Sequence, residues 1–135
     1  DFGCGKGAMV RMFEEDYGVP DVVGYDPGVR RYMTADLTRT YQMVCCNDVL
    51  EHVEPAYLSQ VMRHINDLAE QYIWLRIDTV PAKKVLPDGR NAHLILQKPD
   101  WWKEQITEHI SGDIVFEDIN KKGKYDVDIV KQQNT

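Results

Sequence analysis

The chain is expected to fold as an α/β domain around a doubly wound, mostly parallel sheet that ends in an antiparallel hairpin strand. Three observations point there. Short apolar runs suited to buried strands alternate with segments whose apolar residues recur at helical spacing. A glycine-rich turn, Asp1-Phe2-Gly3-Cys4-Gly5-Lys6-Gly7, stands directly ahead of the first helical pattern. The last two strand-like runs are separated only by a short polar stretch, Lys121-Lys122-Gly123-Lys124, which reads as a hairpin connection.

The glycine turn comes first and normally joins the first strand of a nucleotide-binding sheet to its first helix. That strand would lie before residue 1, so the chain is expected to be a single domain over residues 1–135 with its first strand truncated and its N-terminus incomplete. After the turn, Met9, Met12 and Phe13 fall at i, i+3 and i+4 with Arg11, Glu14 and Glu15 between them, and Gly18 closes this helix. Pro20 restarts the chain into Val22-Val23-Gly24-Tyr25, a short second strand that ends on the turn signal Asp26-Pro27-Gly28. The segment from Val29 to Asp36 is too short for a crossover helix of about a dozen residues, so a third strand near Met33 should be short and at the sheet edge.

Met43-Val44-Cys45-Cys46 is a continuous apolar run of the buried parallel type, followed by Asn47-Asp48-Val49-Leu50-Glu51-His52-Val53. Pro55 starts a helix whose Leu58, Val61, Met62, Ile65, Leu68 and Ala69 make one stripe, ending near Gln71. Residues 72–77 form the next strand. Asp78 to Lys98 reads as a long connection, and long connections in compact domains usually carry function or are disordered. Asp100 can cap a helix bearing Trp102, Ile106 and Ile110, stopped by Ser111-Gly112; strands over 113–119 and 125–130 complete the pattern.

Composition narrows the function classes. An apolar share of 43% suits one soluble domain, and 16 Lys+Arg against 22 Asp+Glu give a net charge of −6. That balance argues against nonspecific nucleic-acid binding, which draws on phosphate contacts. Three cysteines, two of them adjacent, form neither a disulfide framework nor a metal clip and fit a reducing, cytoplasmic compartment. No apolar run reaches the length of a membrane span, and no signal peptide is visible. The oligomeric state is left open.

In such a sheet, ligands bind beyond the carboxyl ends of the strands, where Asp1, Asp26, Asn47, Asp48 and Asp78 gather. Glycines at alternate positions let a ligand approach the backbone, and the helix start offers unpaired N–H groups. Gly3, Gly5 and Ala8 also satisfy a dinucleotide pattern, with Asp26 about 20 residues on. Asp1 would repel a pyrophosphate, however, and would welcome a cation. The sequence resembles the class I methyltransferases that use S-adenosylmethionine, in motifs that run in the same order over nearly the whole chain. Asp1 to Gly7 matches their first motif, Gly24-Tyr25-Asp26-Pro27 their ribose-binding acid, and Cys46 to Val53 the segment after their fourth strand. The resemblance implies their Rossmann-like sheet and S-adenosylmethionine as cofactor. It also implies that Asp1, Gly3, Cys4, Gly5, Lys6 and Gly7 hold the methionine end, Asp26 with Pro27 the ribose, and Asn47, Asp48 and Val49 the methionine part, with Asp36 near adenine. The phrase from Leu86 to Leu94, followed by Trp101-Trp102, is similar to a group of small bacterial and phage methyltransferases of unnamed substrate.

Methyl transfer is an in-line displacement that needs a positioned nucleophile and, for a protic one, a base. His93, in the long connection at the rim, is the first candidate for base or substrate ligand; the alternative is an ordinary loop histidine. Asp48, Glu51 and His52 are spaced to share one face of a helical turn. They resemble the Glu-x-x-Glu-His group that binds a divalent metal in small-RNA 2′-O-methyltransferases and ubiquinone-pathway O-methyltransferases. No metal is expected here; the metal alternative would use Asp48, Glu51, His52 and His93, and otherwise His52 joins His93 as a catalytic candidate. Trp102 belongs to the core, whereas Trp101 can wall a substrate pocket. Lys83, Lys84, Arg90 and Lys98 suggest an anionic small-molecule acceptor, or simply a solvated loop. Cys45 and Cys46 read as core. Two other functions stay open: a non-catalytic domain that binds the cofactor or S-adenosylhomocysteine, and a small NAD-binding oxidoreductase.

Overall fold

Four strands form one sheet in the computed structural model, which describes residues 1–132. They are β1 (Tyr41–Asn47), β2 (Ala69–Asp78), β3 (Asp113–Ile119) and β4 (Lys124–Val130), in the spatial order β1-β2-β4-β3. β1 and β2 run parallel, with Val44 opposite Ile73 and Cys46 opposite Leu75. β4 is antiparallel to both neighbours, so the second hairpin strand is inserted between β2 and β3 and leaves β3 at the edge. The expected α/β class, with its parallel pair and antiparallel hairpin, is therefore present.

The chain start lies beside this sheet. The Phe2 N–H donates to the Cys45 carbonyl at 2.8 Å, the Asp1 nitrogen to the Val23 carbonyl at 2.7 Å, and the Tyr25 N–H to the Asp1 carbonyl at 2.9 Å. The expected second strand is present as one parallel bridge, Phe2 to Tyr25. Beyond that bridge a cleft of about 630 Å³ separates Val22 and Val23 from Tyr41 to Val44, with Phe13, Leu37 and Leu68 among its walls. The third strand expected near Met33 does not form. Residues 27–34 are turns, held by the buried Tyr32 ring.

The first helix, α1 (Ala8–Arg11), widens into a π-turn over Met12–Asp16, and Gly18 follows at φ 62°. Leu58–Leu68 forms α2, entered through the short 3-10 turn Pro55–Tyr57. It stops at Leu68 rather than Gln71 because Ala69 already takes extended backbone and pairs with β1. Pro99–His109 forms α3 with Pro99 at its first turn; Asp100 lies inside that turn and caps nothing. The stripe Leu58, Met62, Ile65 and Leu68 of α2, with Trp102 and Ile106 of α3, covers Ile73, Leu75 and Ile77 of β2 and Val127 and Ile129 of β4. This apolar layer is the main source of stability, at about 25 cal/mol per Å² buried. No helix among the described residues is long and apolar enough to cross a membrane.

Met62 is completely buried at the centre of this layer. Met62→Ala is expected to lower the unfolding free energy by about 2–5 kcal/mol in urea titration. Val115→Thr, on the exposed edge strand, should change it by under about 0.5 kcal/mol.

Candidate functional site

The glycine turn owes its shape to positive φ angles at Gly3 (80°), Gly5 (55°) and Gly7 (85°). Two of these glycines also admit close neighbours. A Cβ on Gly3 would stand 2.3 Å from Val49 Cγ2, and one on Gly7 2.1 Å from the Tyr32 hydroxyl. Their absence lets the segment after β1 close over the turn. The Gly3 and Cys4 N–H groups donate to the Tyr25 carbonyl at 2.7 and 2.9 Å.

Asp26 ties the two turns together. Its Oδ2 accepts from the Gly5 N–H and its Oδ1 from the Gly28 N–H, both at 2.9 Å, and each oxygen keeps a further lone pair for a ligand hydroxyl. Pro27, between Asp26 and Gly28, is exposed, as is Lys6, whose carbonyl accepts from Arg11. Burial, reinforced by Asp26, pushes the Cys4 thiol up, so it stays protonated. Asp36 is exposed and its carboxylate is engaged by Thr38, whose N–H and hydroxyl donate to it and hold it below the usual carboxylate range.

Asn47 ends β1 beside α1. Its Nδ2 donates to Met9 Sδ at 3.4 Å, while Oδ1 is buried without a partner among the described residues. A buried acceptor left unmade costs about 1–3 kcal/mol, which marks a position a ligand donor can fill. Asp48 takes positive φ (57°) and accepts from Lys124 at 2.6 Å; the same ammonium lies 3.1 Å from Asp78. Lys124 was not among the residues singled out from the sequence, because no local pattern ties it to a group 76 positions away.

Behind this rim Glu51 is fully buried. Its Oε2 accepts from the Asp78 N–H at 2.9 Å, its carbonyl accepts from the Ile95 N–H, and Oε1 has no partner among the described residues. Burial raises its pKa. His52 is exposed and His93 nearly buried, at 7% exposure, and their rings meet edge to face at 4.8 Å. His52 Nδ1 pairs with the Ala92 carbonyl at 3.0 Å and His93 Nδ1 with the Val80 carbonyl. A carbonyl only accepts, so both Nδ1 atoms carry hydrogen and both Nε2 atoms of the neutral rings keep a lone pair. The sequence grouped Asp48, Glu51, His52 and His93 as one set. The structure divides them into two overlapping clusters that share Glu51, one with His52 and His93 and the other with Asp48 and Asp78.

Trp101 is half-buried and lines a second cavity of about 490 Å³ at the end of β2, with Thr79, Pro81 and Lys98; Trp102 is core, as expected. The anticipated basic rim is weaker than the sequence suggests. Arg90 is bound by Glu54 and Asp88, and Lys98 shares its cavity with Asp100 and Glu104. Cys45 and Cys46 are buried, and burial pushes both thiols up.

A family model described as a methyltransferase domain matches residues 1–119. Comparison with curated proteins gives no match. Among solved structures, magnesium protoporphyrin IX methyltransferase from Synechocystis PCC 6803 superposes with TM-score 0.52 at 18% identity in its form with bound SAH. The alignment covers 72% of this chain and 49% of that one. The form with bound SAM gives TM-score 0.51 at 20% identity, covering 74% and 45%. An O-methyltransferase family protein from Burkholderia thailandensis gives TM-score 0.51 at 14% identity, covering 72% and 32%. The chain thus spans less than half the length of each of these structures, and the likeness is one of fold.

Closure of the rim over Gly3 has a direct test. Gly3→Ala is expected to lower the melting temperature through both the contact with Val49 and the left-handed backbone, the latter costing about 1–2 kcal/mol. Adding Val49→Ala should recover the steric part and leave the backbone part. A double variant no more stable than Gly3→Ala would show that Val49 does not limit the turn.

Proposed function

The chain belongs to the methyltransferase domain family, and we propose that it binds S-adenosylmethionine at the glycine turn and methylates a small-molecule acceptor. The observation that carries this reading is the donor-hungry pair at the rim. Asp26 presents carboxylate lone pairs between the two turns, and Asn47 keeps a buried Oδ1 without a donor among the described residues, beside Met9. Vicinal hydroxyls suit the first and a cationic ammonium suits the second. Asp1 adds an acid at the mouth of the turn, and the glycines admit a ligand close to the backbone. Similar solved structures that hold SAM and SAH support the same cofactor. When bound, it supplies a methyl group on a sulfonium, open to in-line displacement.

The chain's own residues then have two tasks. The first is positioning: the cavity beside Trp101, Thr79 and Lys98 lies past the end of β2 and offers an aromatic wall and one ammonium to an acceptor. With Arg90 paired elsewhere and Asp100 and Glu104 lining the same cavity as Lys98, this geometry does not favour an anionic acceptor. The second is handling the acceptor's proton. His93 and His52 hold their Nδ1 hydrogens on backbone carbonyls, which leaves Nε2 as the reactive nitrogen, suited to take a proton or to bind a ligand. All three cysteines are free thiols, which supports a reducing compartment such as the cytoplasm.

Calorimetric titration with S-adenosylhomocysteine and with NADH tests the cofactor. Saturable binding of the first alone is expected, and binding of NADH alone would overturn the reading. Asp26→Ala should weaken S-adenosylhomocysteine by about tenfold or more, roughly 1.4 kcal/mol. His93→Ala should leave that affinity nearly unchanged while abolishing methyl transfer to acceptors in a small-molecule extract. Transfer at full rate would remove His93 from the chemistry.

A further inference from the structure

We propose that the cavity beside Trp101 receives a positively charged nitrogen, so that the acceptor of the methyltransferase reading, on which this rests, is an organic cation. The cavity, of about 490 Å³, is walled by Thr79, Pro81, Lys98, Asp100, Trp101 and Glu104 among others. Thr79 and Pro81 flank Val80, whose carbonyl accepts from His93 Nδ1. The candidate base is therefore fastened to the segment that forms one wall, and a molecule held in the cavity lies beside that segment.

Three features set the sign of the charge. The first is a surplus of acid. Two carboxylates line the cavity against one ammonium, and among the described residues neither Asp100 nor Glu104 takes part in an ion pair. Acids elsewhere around the long connection are already matched, Asp48 and Asp78 by Lys124, Glu54 and Asp88 by Arg90. The second is the way α3 presents them. Asp100 and Glu104 stand four positions apart, one helical turn, where like charges repel, and a cation between them relieves that repulsion. The start of the same helix offers little to an anion: Pro99 has no N–H, and the Trp101 and Trp102 N–H groups both go to the Lys98 carbonyl, at 3.0 and 3.3 Å. The third is Trp101 itself. Its ring meets the buried Trp102 edge to face at 5.1 Å, which holds it against the core as a firm wall. An indole face is the aromatic surface that attracts a cation most strongly.

Size selects the kind of cation. A space of about 490 Å³ lies within the range of small-molecule pockets and would leave a bare metal ion mostly surrounded by water. An ammonium group with an apolar or aromatic body uses all of it: the charge between Asp100 and Glu104, the body against Trp101 and Pro81. Lys98 then works against the bound charge rather than for it, which separates this arrangement from an anion site at the same place.

The test uses three probes of similar shape and different charge, benzyltrimethylammonium, benzyl alcohol and phenylacetate, titrated into the whole chain and followed by NMR at the Trp101 indole N–H. The cation should bind saturably and at least about fivefold more tightly than phenylacetate, with a preference that shrinks as salt is raised. Asp100→Asn and Glu104→Gln should each weaken the cation by about two- to fivefold, and Trp101→Leu by about threefold or more. Lys98→Ala should leave its affinity unchanged or increase it. Asp100, Glu104 and Lys98 are exposed, so these variants keep the fold, checked by an unchanged melting temperature. Equal or tighter binding of phenylacetate, no saturable binding of the cation, or loss of cation binding in Lys98→Ala would overturn the proposal. S-adenosylhomocysteine is titrated separately. If it binds and the cation does not, the acceptor class fails and the cofactor reading stands; if the cation binds and S-adenosylhomocysteine does not, the cofactor reading fails and the cation site stands.

Discussion

The rim of this domain depends on one buried carboxylate. Glu51 follows β1, yet its side chain binds the backbone at the end of β2 and its carbonyl binds Ile95, at the far end of the long connection. Three segments distant in sequence are thereby held at one place. The histidines repeat the device, His52 fastening to Ala92 and His93 to Val80. A connection of about twenty residues becomes fixed structure because its backbone groups find partners in the side chains of Glu51, His52, Asn91 and His93 and in other backbone groups rather than in water.

The opposite side of the rim is organised around glycine. Val49 leans over Gly3, Tyr32 lies against Gly7, and Asp26 joins the two turns through paired N–H bonds. Any side chain at Gly3 or Gly7 would push these neighbours apart, so backbone conformation and cavity shape are set by the same residues. Between the two sides stands Asn47, whose oxygen, without a partner among the described residues, is a cost to the fold and an opportunity for a ligand. Asn47 and Glu51, each with a polar atom unsatisfied among the described residues, lie four residues apart, at the end of β1 and in the stretch that follows it.

Much of the fold was legible in the chain. The runs at Met43 and Tyr72, the stripe through Leu58, Met62 and Ile65, and the Lys121 to Lys124 hairpin all lie in the elements they suggested. Where the reading failed, pairing was the reason. Val22 to Tyr25 has strand composition but pairs through the single bridge of Tyr25 to Phe2, and the segment near Met33 has no strand partner among the described residues. Strand propensity expresses the fit of a side chain to a pleated surface and becomes a strand only beside a partner. The helix after the glycine turn was readable from its spacing, but its passage into a π-turn was not.

The sequence by itself determined the α/β alternation, the glycine turn, the acid after the Val22 to Tyr25 segment, and the family these residues resemble, because those features are local patterns of residue type. Tertiary structure alone decided that β4 enters between β2 and β3, and that Lys124 claims Asp48 and Asp78. It also decided that Arg90 is consumed by Glu54 and Asp88, and that Glu51 is shared between two histidines on one side and Asp48 with Asp78 on the other. The physical reason is range. A charge or a lone pair takes as partner whatever the fold brings within about 3 Å, and for these groups that partner lies tens of residues away.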